Sequence, residues 1–128
     1  MKDLHSNIGV VLALAPVVLT ASAASAAVDL QGFASSEFII TTGVVAGAGD
    51  FTATVQHSDT TTGGDFEDVE AEDLLGELPA TLLADGVYKI GYTGSKRYLR
   101  INLTKNGGTS ISTSVAMVKG HPESAPVD

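Results

Sequence analysis

Seven carboxylates stand within residues 65 to 77, and they are the densest charged feature of the sequence. Hard cations such as Ca²⁺ bind oxygen-rich loops of this kind, and two carboxylates facing each other across a cleft can hydrolyse a glycosidic bond. The segment lacks the glycine and the ligand spacing of a calcium loop, and nothing in the sequence fixes two acids around a cleft. Charge runs usually form solvated or partner-facing surfaces. We therefore expect these residues to form an acidic surface, and calcium binding and hydrolysis are the alternatives. The residues are Asp65, Glu67, Asp68, Glu70, Glu72, Asp73 and Glu77.

Other residue types with catalytic potential are poorly spaced for chemistry. The histidines have no metal-binding pattern, because they stand far apart at His5, His57 and His121. The run His57, Ser58 and Asp59 contains the residue types of a hydrolytic triad, but neighbours along a strand point to opposite faces and cannot form the relay. The glycines of residues 43 to 49 are not followed by Lys-Ser/Thr, so they suit a hairpin loop better than a phosphate loop. We predict that the protein is not an enzyme and has no catalytic residue, no metal and no cofactor.

Composition excludes several classes of partner. The chain of 128 residues has 15 acidic and 7 basic residues, and its formal net charge is -8. Affinity for a nucleic-acid backbone or an anionic membrane surface comes from Lys and Arg, so neither partner is expected. With no Trp, four Phe and three Tyr, a stacking platform for bases or sugars is also disfavoured. The absence of cysteine excludes disulfides, thiolate zinc sites and cysteine nucleophiles.

Alternating apolar residues predict several short β-strands. Residues 51 to 58 place Phe51, Ala53 and Val55 on one face, which is the period of a half-buried strand. The segment 96 to 105 alternates in the same way around Leu99, Ile101 and Leu103. Further strands are predicted at 35 to 43, 86 to 94 and 109 to 120, with 66 to 69 returning as a hairpin partner of 51 to 58.

The connections between these strands complete the prediction of the fold. The run Asn-Gly-Gly at 106 to 108 is the strongest hairpin signal in the chain. Residues 69 to 78 alone have helical spacing, and Gly76 and Pro79 limit that helix to one or two turns. Long helices for parallel crossovers are missing. We therefore predict an all-β fold, an antiparallel, jelly-roll-like β-sandwich with one short helical turn and extended N- and C-terminal arms.

The first 26 residues raise the question of a secretory signal peptide. An apolar run from Ile8 to Leu19 precedes Ala-x-Ala spacing at 21 to 26, which is the pattern of a cleavable leader. Against this interpretation, the positive start is weak, Pro16 interrupts the run, and its β-branched residues suit a strand. The alternatives are therefore an exported β-sandwich binding module that loses residues 1 to 26, and a protein that keeps them.

Several phrases of the sequence resemble a family of small virion proteins of tailed bacteriophages, encoded in the head module beside the major capsid protein. The likeness is carried, in order, by KDLHSNIGVVLALAP, VDLQGFASSEFII, FTATVQHSD, AEDLLGELP, GYTGSKRYLRINLT and VKGHPESAP. It covers nearly the whole chain and includes no catalytic motif. In such relatives the segment equivalent to residues 6 to 16, from SNI to ALAP, opens the mature protein, so the resemblance implies that the apolar start is retained.

The resemblance implies a capsid decoration, or cement, protein on the outer surface of the virion. Its partners would be the major capsid protein and itself, commonly as a homotrimer, and a neck or tail-associated role is the alternative within the virion. Residues 1 to 20 would be an N-terminal arm or first strand, 21 to 120 the sandwich domain, and 121 to 128 an extended tail that orders on a partner surface.

Candidate interface residues come from both ends of the chain and from a basic group. The apolar start could lie against a capsid protein, join a neighbour's sheet by strand addition, or complete the subunit's own sandwich. The basic group could meet the acidic stretch of a neighbouring copy or form an intramolecular salt-bridged strand face. The candidates are Leu4, Ile8, Val10, Leu12, Leu14, Lys96, Arg97, Arg100, His121 and Pro122.

Overall fold

Ten β-strands make up nearly all the regular structure of the computed structural model, which describes residues 5 to 122. Three 3-10 turns, His5–Asn7, Gly63–Asp65 and Ala71–Asp73, are the only helical elements among those residues. The strands are β1 (Ile8–Leu19), β2 (Ala23–Ala24), β3 (Val28–Asp29), β4 (Phe33–Ala46), β5 (Asp50–Ser58), β6 (Glu67–Asp68), β7 (Leu74–Leu75), β8 (Val87–Tyr92), β9 (Tyr98–Gly107) and β10 (Ser110–Pro122).

The strands form two antiparallel sheets that pack face to face, so the predicted all-β sandwich is confirmed. Sheet A has the order β1-β10-β4-β8-β7, and sheet B has the order β2-β9-β5-β6. Strand β3 pairs with β9 farther along the same edge that β2 occupies. Residues 8 to 19 therefore complete the subunit's own sandwich as its first strand, which is one of the three alternatives for the apolar start.

The core lies between the sheets and confirms the predicted alternation. Phe51, Ala53 and Val55 of β5 are buried, and so are their counterparts on β9, Leu99, Ile101 and Leu103. Intervening residues of both strands are half-buried or exposed. The predicted hairpin partner of β5 is also present, because β6 pairs with it at Gln56 and His57. Period-2 burial thus identifies the inward face of both strands.

The Asn-Gly-Gly turn does not make a hairpin, and that prediction is wrong. Within the described chain β9 belongs to sheet B and β10 to sheet A, so the chain crosses from one sheet to the other at residues 108 and 109. The glycine loop after β4 crosses in the same way, and it is not a hairpin loop either. Each strand already has partners in its own sheet, and that tertiary pairing overrides the local turn signal.

Gly108 allows the two crossing loops to pack together, and this predicts a strong effect of substitution. Its φ is +74°, and an added Cβ would collide with the backbone carbonyl oxygen of Ala48. We expect Gly108→Ala to lower the free energy of unfolding by at least about 1 to 2 kcal/mol, the cost of left-handed backbone for a residue with a Cβ. Gly107→Ala is the matched control, since nothing lies within 4 Å of its Cβ position. Urea denaturation of both variants measures the difference, and equal midpoints would contradict the packing.

The helical spacing of residues 69 to 78 gives a shorter helix than the pattern predicts. Only Ala71–Asp73 forms a 3-10 turn, and β7 follows at once. The backbone is used by neighbouring strands: Val69 N donates to Val55 O at 2.9 Å, and Thr93 N donates to Asp73 O at 2.8 Å. Leu75 does not share the buried face, because it is 63% exposed. Pairing with the sheet edges therefore replaces the helix.

Candidate functional site

The acidic residues lie on one side of the sandwich, where β6 ends sheet B and β7 ends sheet A. From residue 59 to residue 88 the sequence has nine acidic residues and no Lys or Arg. Among residues 5 to 122, no group of three or more His, Asp or Glu side chains is arranged to hold a metal ion. Gln56 Nε2 donates to Asp68 at 2.9 Å, so part of this surface is tied down by hydrogen bonds. We call this region, residues 59 to 88, the acidic side.

The three residue types of a triad are present but point to three different partners. A hydrogen bond of 2.9 Å joins His57 Nδ1 to the hydroxyl of Tyr92, whose pKa is raised mainly by burial. Ser58 Oγ accepts from Thr60 N at 3.0 Å, and Asp59 accepts from Lys96 Nζ at 3.0 Å. No proton relay can run along His57, Ser58 and Asp59 in this arrangement.

The basic residues of 96 to 100 make contacts within the subunit. Arg97 donates to both carboxylate oxygens of Asp29, at 2.9 Å from Nε and 2.8 Å from Nη2. Arg100 Nε donates to Gln56 Oε1 at 2.8 Å, and its guanidinium lies 4.4 Å from the ring centroid of Phe66. Together with the Lys96–Asp59 pair, these contacts correspond to the intramolecular alternative for the basic group.

The Asp29–Arg97 pair predicts a dependence of stability on pH. The hydrogen bond from Arg97 lowers the pKa of Asp29 from 3.8 to about 2. A carboxylate with a lowered pKa stabilises the fold above its unfolded pKa, and that contribution disappears as pH falls through the folded value. We expect Asp29→Asn to lower the melting temperature at pH 6, and the gap to wild type to close between pH 4 and pH 2. Thermal scans against Glu72→Gln, an exposed acid on the 3-10 turn, measure this. A gap that stays constant with pH would contradict it.

The segment on the opposite side of the sandwich has no charged residue of its own, although Lys105 Nζ donates to Thr20 O at 2.9 Å. Residues 6 to 28 contain no Asp, Glu, Lys or Arg, and they supply β1, β2 and the start of β3. These strands are the neighbouring edges of the two sheets, and Ala26 N donates to Ala13 O across them at 2.9 Å. We call this region, residues 6 to 28, the uncharged side. The two sides of one molecule therefore differ sharply in charge.

Exposed apolar side chains concentrate on β1. Val10 is 65% exposed, Leu12 59%, Val17 40% and Val18 59%. Single exposed apolar residues are ordinary, but a contiguous set marks an interaction site. The sheet register extends the set inward, because Val10 lies beside Val118, Leu12 beside Ala116, and Ala116 beside Ile39. We define the β1 face patch as Val10, Leu12, Ile39, Ala116 and Val118.

The predicted interface residues fall into two groups in the structure. Ile8 and Leu14 are half-buried on β1 with Val10 and Leu12. The end of β10 lies beside the start of β1, since Ile8 pairs with Gly120, so the same group includes exposed His121 and half-buried Pro122.

The basic residues form the second group, apart from the β1 face patch. Of the three, only Arg97 is linked to β10, and the link runs through Asp29. The carboxylate of Asp29 binds Arg97, and its backbone oxygen accepts from Lys119 Nζ of β10 at 3.4 Å. Lys96 and Arg100 lie on contacts with residues 56 to 66. Leu4 and residues 123 to 128 lie outside the described residues.

Sequence reasoning did not anticipate two features of this site. Strand β1 has register shifts between Leu12 and Leu14 and between Leu14 and Val17, and these irregularities bring both Val17 and Val18 to the surface. The bidentate Asp29–Arg97 pair joins residues 68 positions apart, which no local pattern indicates. The uncharged run itself is visible in the sequence.

No helix within residues 5 to 122 is long and apolar enough to span a membrane. Comparison of the chain with protein families, curated proteins and solved structures finds no match.

Proposed function

We propose that this protein is a non-enzymatic decoration, or cement, protein of a tailed-bacteriophage capsid. In this proposal it binds the outer surface of the major capsid protein through the β1 face patch and stabilises the head. The observation that carries the proposal is the division of charge between the uncharged side, with its exposed apolar strand, and the acidic side. The resemblance of the sequence phrases to phage virion proteins supplies the identity of the partner.

The charge division suits a subunit that attaches to a large surface and faces solvent elsewhere. The apolar side chains of the β1 face patch lose water on contact, which contributes roughly 25 cal/mol per Å² of apolar area. Many copies on one shell, each with a modest contact, hold neighbouring capsomers together against the pressure of packaged DNA. The acidic side would face away from the shell, where its charge keeps the decorated particle soluble.

The proposal requires that the mature protein keeps residues 1 to 26. The alternative, an exported binding module, would lose them. Strand β1 pairs with β10 at nine positions, and Ser25 bonds Ile101 through both its backbone and its hydroxyl. Cleavage after residue 26 would remove these contacts from the sandwich. Their presence therefore favours a protein that keeps its apolar start over an exported module that loses it.

The test combines intact mass with attachment to shells. Protein from the native source should have a mass that includes residues 1 to 26, and it should co-sediment with assembled capsids. On capsids stripped of this protein, we expect Val118→Asp, which puts a charge beside Val10 in the β1 face patch, to weaken rebinding at least tenfold. Val44→Asp is the matched control, because Val44 is 66% exposed and lies outside the patch.

Three results would contradict the proposal. A mass lacking residues 1 to 26 would establish export of a binding module. Wild-type protein that stays in the supernatant would remove the capsid as partner. Equal rebinding by Val118→Asp and Val44→Asp would remove the β1 face patch as the docking surface.

A further inference from the structure

The outer edge of β1 is open over its first half: the described chain bonds this edge at Ala13, whose carbonyl accepts from Ala26 N, and pairs no strand with it from Ile8 to Leu12. Strand β1 pairs with β10 along one edge, and it is the terminal strand of sheet A. An exposed edge presents a row of backbone N–H and C=O groups that can pair with another strand. Proteins that stay monomeric usually guard such edges with Lys, inward-pointing charges or very short strands. The twelve residues of β1 contain no charged side chain.

The other strands that end the two sheets do carry such guards. Strand β6 consists of Glu67 and Asp68, and β7 is two residues long and lies between Asp73 and Glu77. The part of β8 beyond β7 contains Lys89. The edge formed by β2 and β3 has only two short paired segments and ends at Asp29. Among the described strands that end a sheet, β1 is therefore the one that is both long and uncharged.

We propose that β1 pairs with β1 of a second copy of this chain, which joins the two A sheets into one continuous antiparallel sheet. The distribution of charge favours pairing through β1, because two chains of net charge -8 repel each other wherever their acidic sides approach. Contact between uncharged sides keeps those charges as far apart as the sandwich allows. The pairing requires no partner other than the protein itself.

The register of β1 places the two-fold axis. The strand keeps an unbroken register with β10 from Ile8 to Leu12, and the first shift follows Leu12. Antiparallel pairing of this five-residue segment with its symmetry mate centres on Val10. Each Val10 then faces the Val10 of the other copy, and Ile8 faces Leu12. Such cross-strand apolar pairs, with Cβ atoms about 5 Å apart, stabilise a sheet.

The pairing also changes the surface that the proposed function uses, although it does not depend on that function. Joining two A sheets brings two β1 face patches together on one side of the continuous sheet. The assembly is isologous and therefore contains two copies, whereas the resemblance to decoration proteins implies three. The mass of the free protein decides between these numbers.

Light scattering of the purified full chain, without capsids, tests the inference. We expect a species of twice the 13.1 kDa of one chain. The dimer should become tighter when salt rises from 0.05 to about 0.5 M, because salt screens the repulsion between acidic chains. Val10→Lys should give a monomer, since it sets two like charges face to face. Val44→Lys, equally exposed on β4, should leave the dimer intact.

A cysteine variant tests the axis itself, and it does so even if Val10→Lys fails to fold. The chain has no cysteine, so Val10→Cys introduces a single thiol per copy that meets its own symmetry mate at a distance a disulfide can bridge. Mild oxidation should convert most of this variant to a covalent dimer on a non-reducing gel, and Val44→Cys should stay monomeric. A monomeric or trimeric wild-type mass, or equal cross-linking of the two cysteine variants, would overturn the inference whatever the capsid experiment shows.

Discussion

A chain that lacks residues 1 to 26 is expected to lose its cooperative unfolding transition. The truncation removes β1 and β2, and it uncovers β10 along nine paired positions. It also removes buried Ala13 and the partly buried Val11, Leu14 and Leu19 that pack against the core. A 128-residue domain has a margin of roughly 5 to 15 kcal/mol, and the loss of a full edge strand is of that order. Guanidinium titration followed by far-UV circular dichroism measures it.

Removal of residues 1 to 4 is the matched control for that truncation. The shorter deletion leaves β1 whole, so we expect it to keep the wild-type midpoint. If the chain starting at residue 27 unfolded with an unchanged midpoint, β1 would be dispensable for the fold. The export alternative would then regain its structural plausibility.

Phe38→Ala is expected to cost about 3 to 5 kcal/mol of unfolding free energy, the usual range for a buried phenylalanine. Phe38 lies on β4 between β10 and β8, and it is 1% exposed. Truncation leaves a cavity that two sheets held by their hydrogen bonds cannot close. Urea denaturation gives the free energy directly.

Val44→Ala provides the comparison on the same strand. Val44 is 66% exposed, so its truncation should change stability by less than about 0.5 kcal/mol. Similar losses of unfolding free energy for the two variants would mean that Phe38 is not more buried than Val44.

Alternation in the sequence was enough to predict the strands but not how they are connected. A strand's inward face follows from a period of two, and Phe51, Ala53 and Val55 or Leu99, Ile101 and Leu103 carry that signal locally. The Asn-Gly-Gly turn is equally local, yet whether it joins two strands of one sheet or crosses between sheets depends on partners about 60 to 110 residues away in sequence. The local turn signal therefore contains no information that β1 and β4 are the neighbours of β10.

The candidate site also has features that the sequence predicts and features that only the fold determines. The uncharged run and its apolar residues can be read from the sequence, as can the surplus of acids after residue 59. The position of the two groups on opposite sides of the sandwich cannot, because it follows from which strands end each sheet. Likewise Arg97 is visible as a basic residue, whereas its pairing with Asp29 requires β3 and β9 to be neighbours.

The pairing of the first long strand with the last one has a consequence for synthesis of the chain. Ile8 finds its partner at Gly120, so β1 emerges from the ribosome more than a hundred residues before β10 exists. At about 5 to 20 residues per second, this interval is on the order of 5 to 20 s. During that time the most apolar and least charged part of the chain has no sheet to join. Lower growth temperature or a ribosome-associated chaperone that holds this segment should raise the soluble yield.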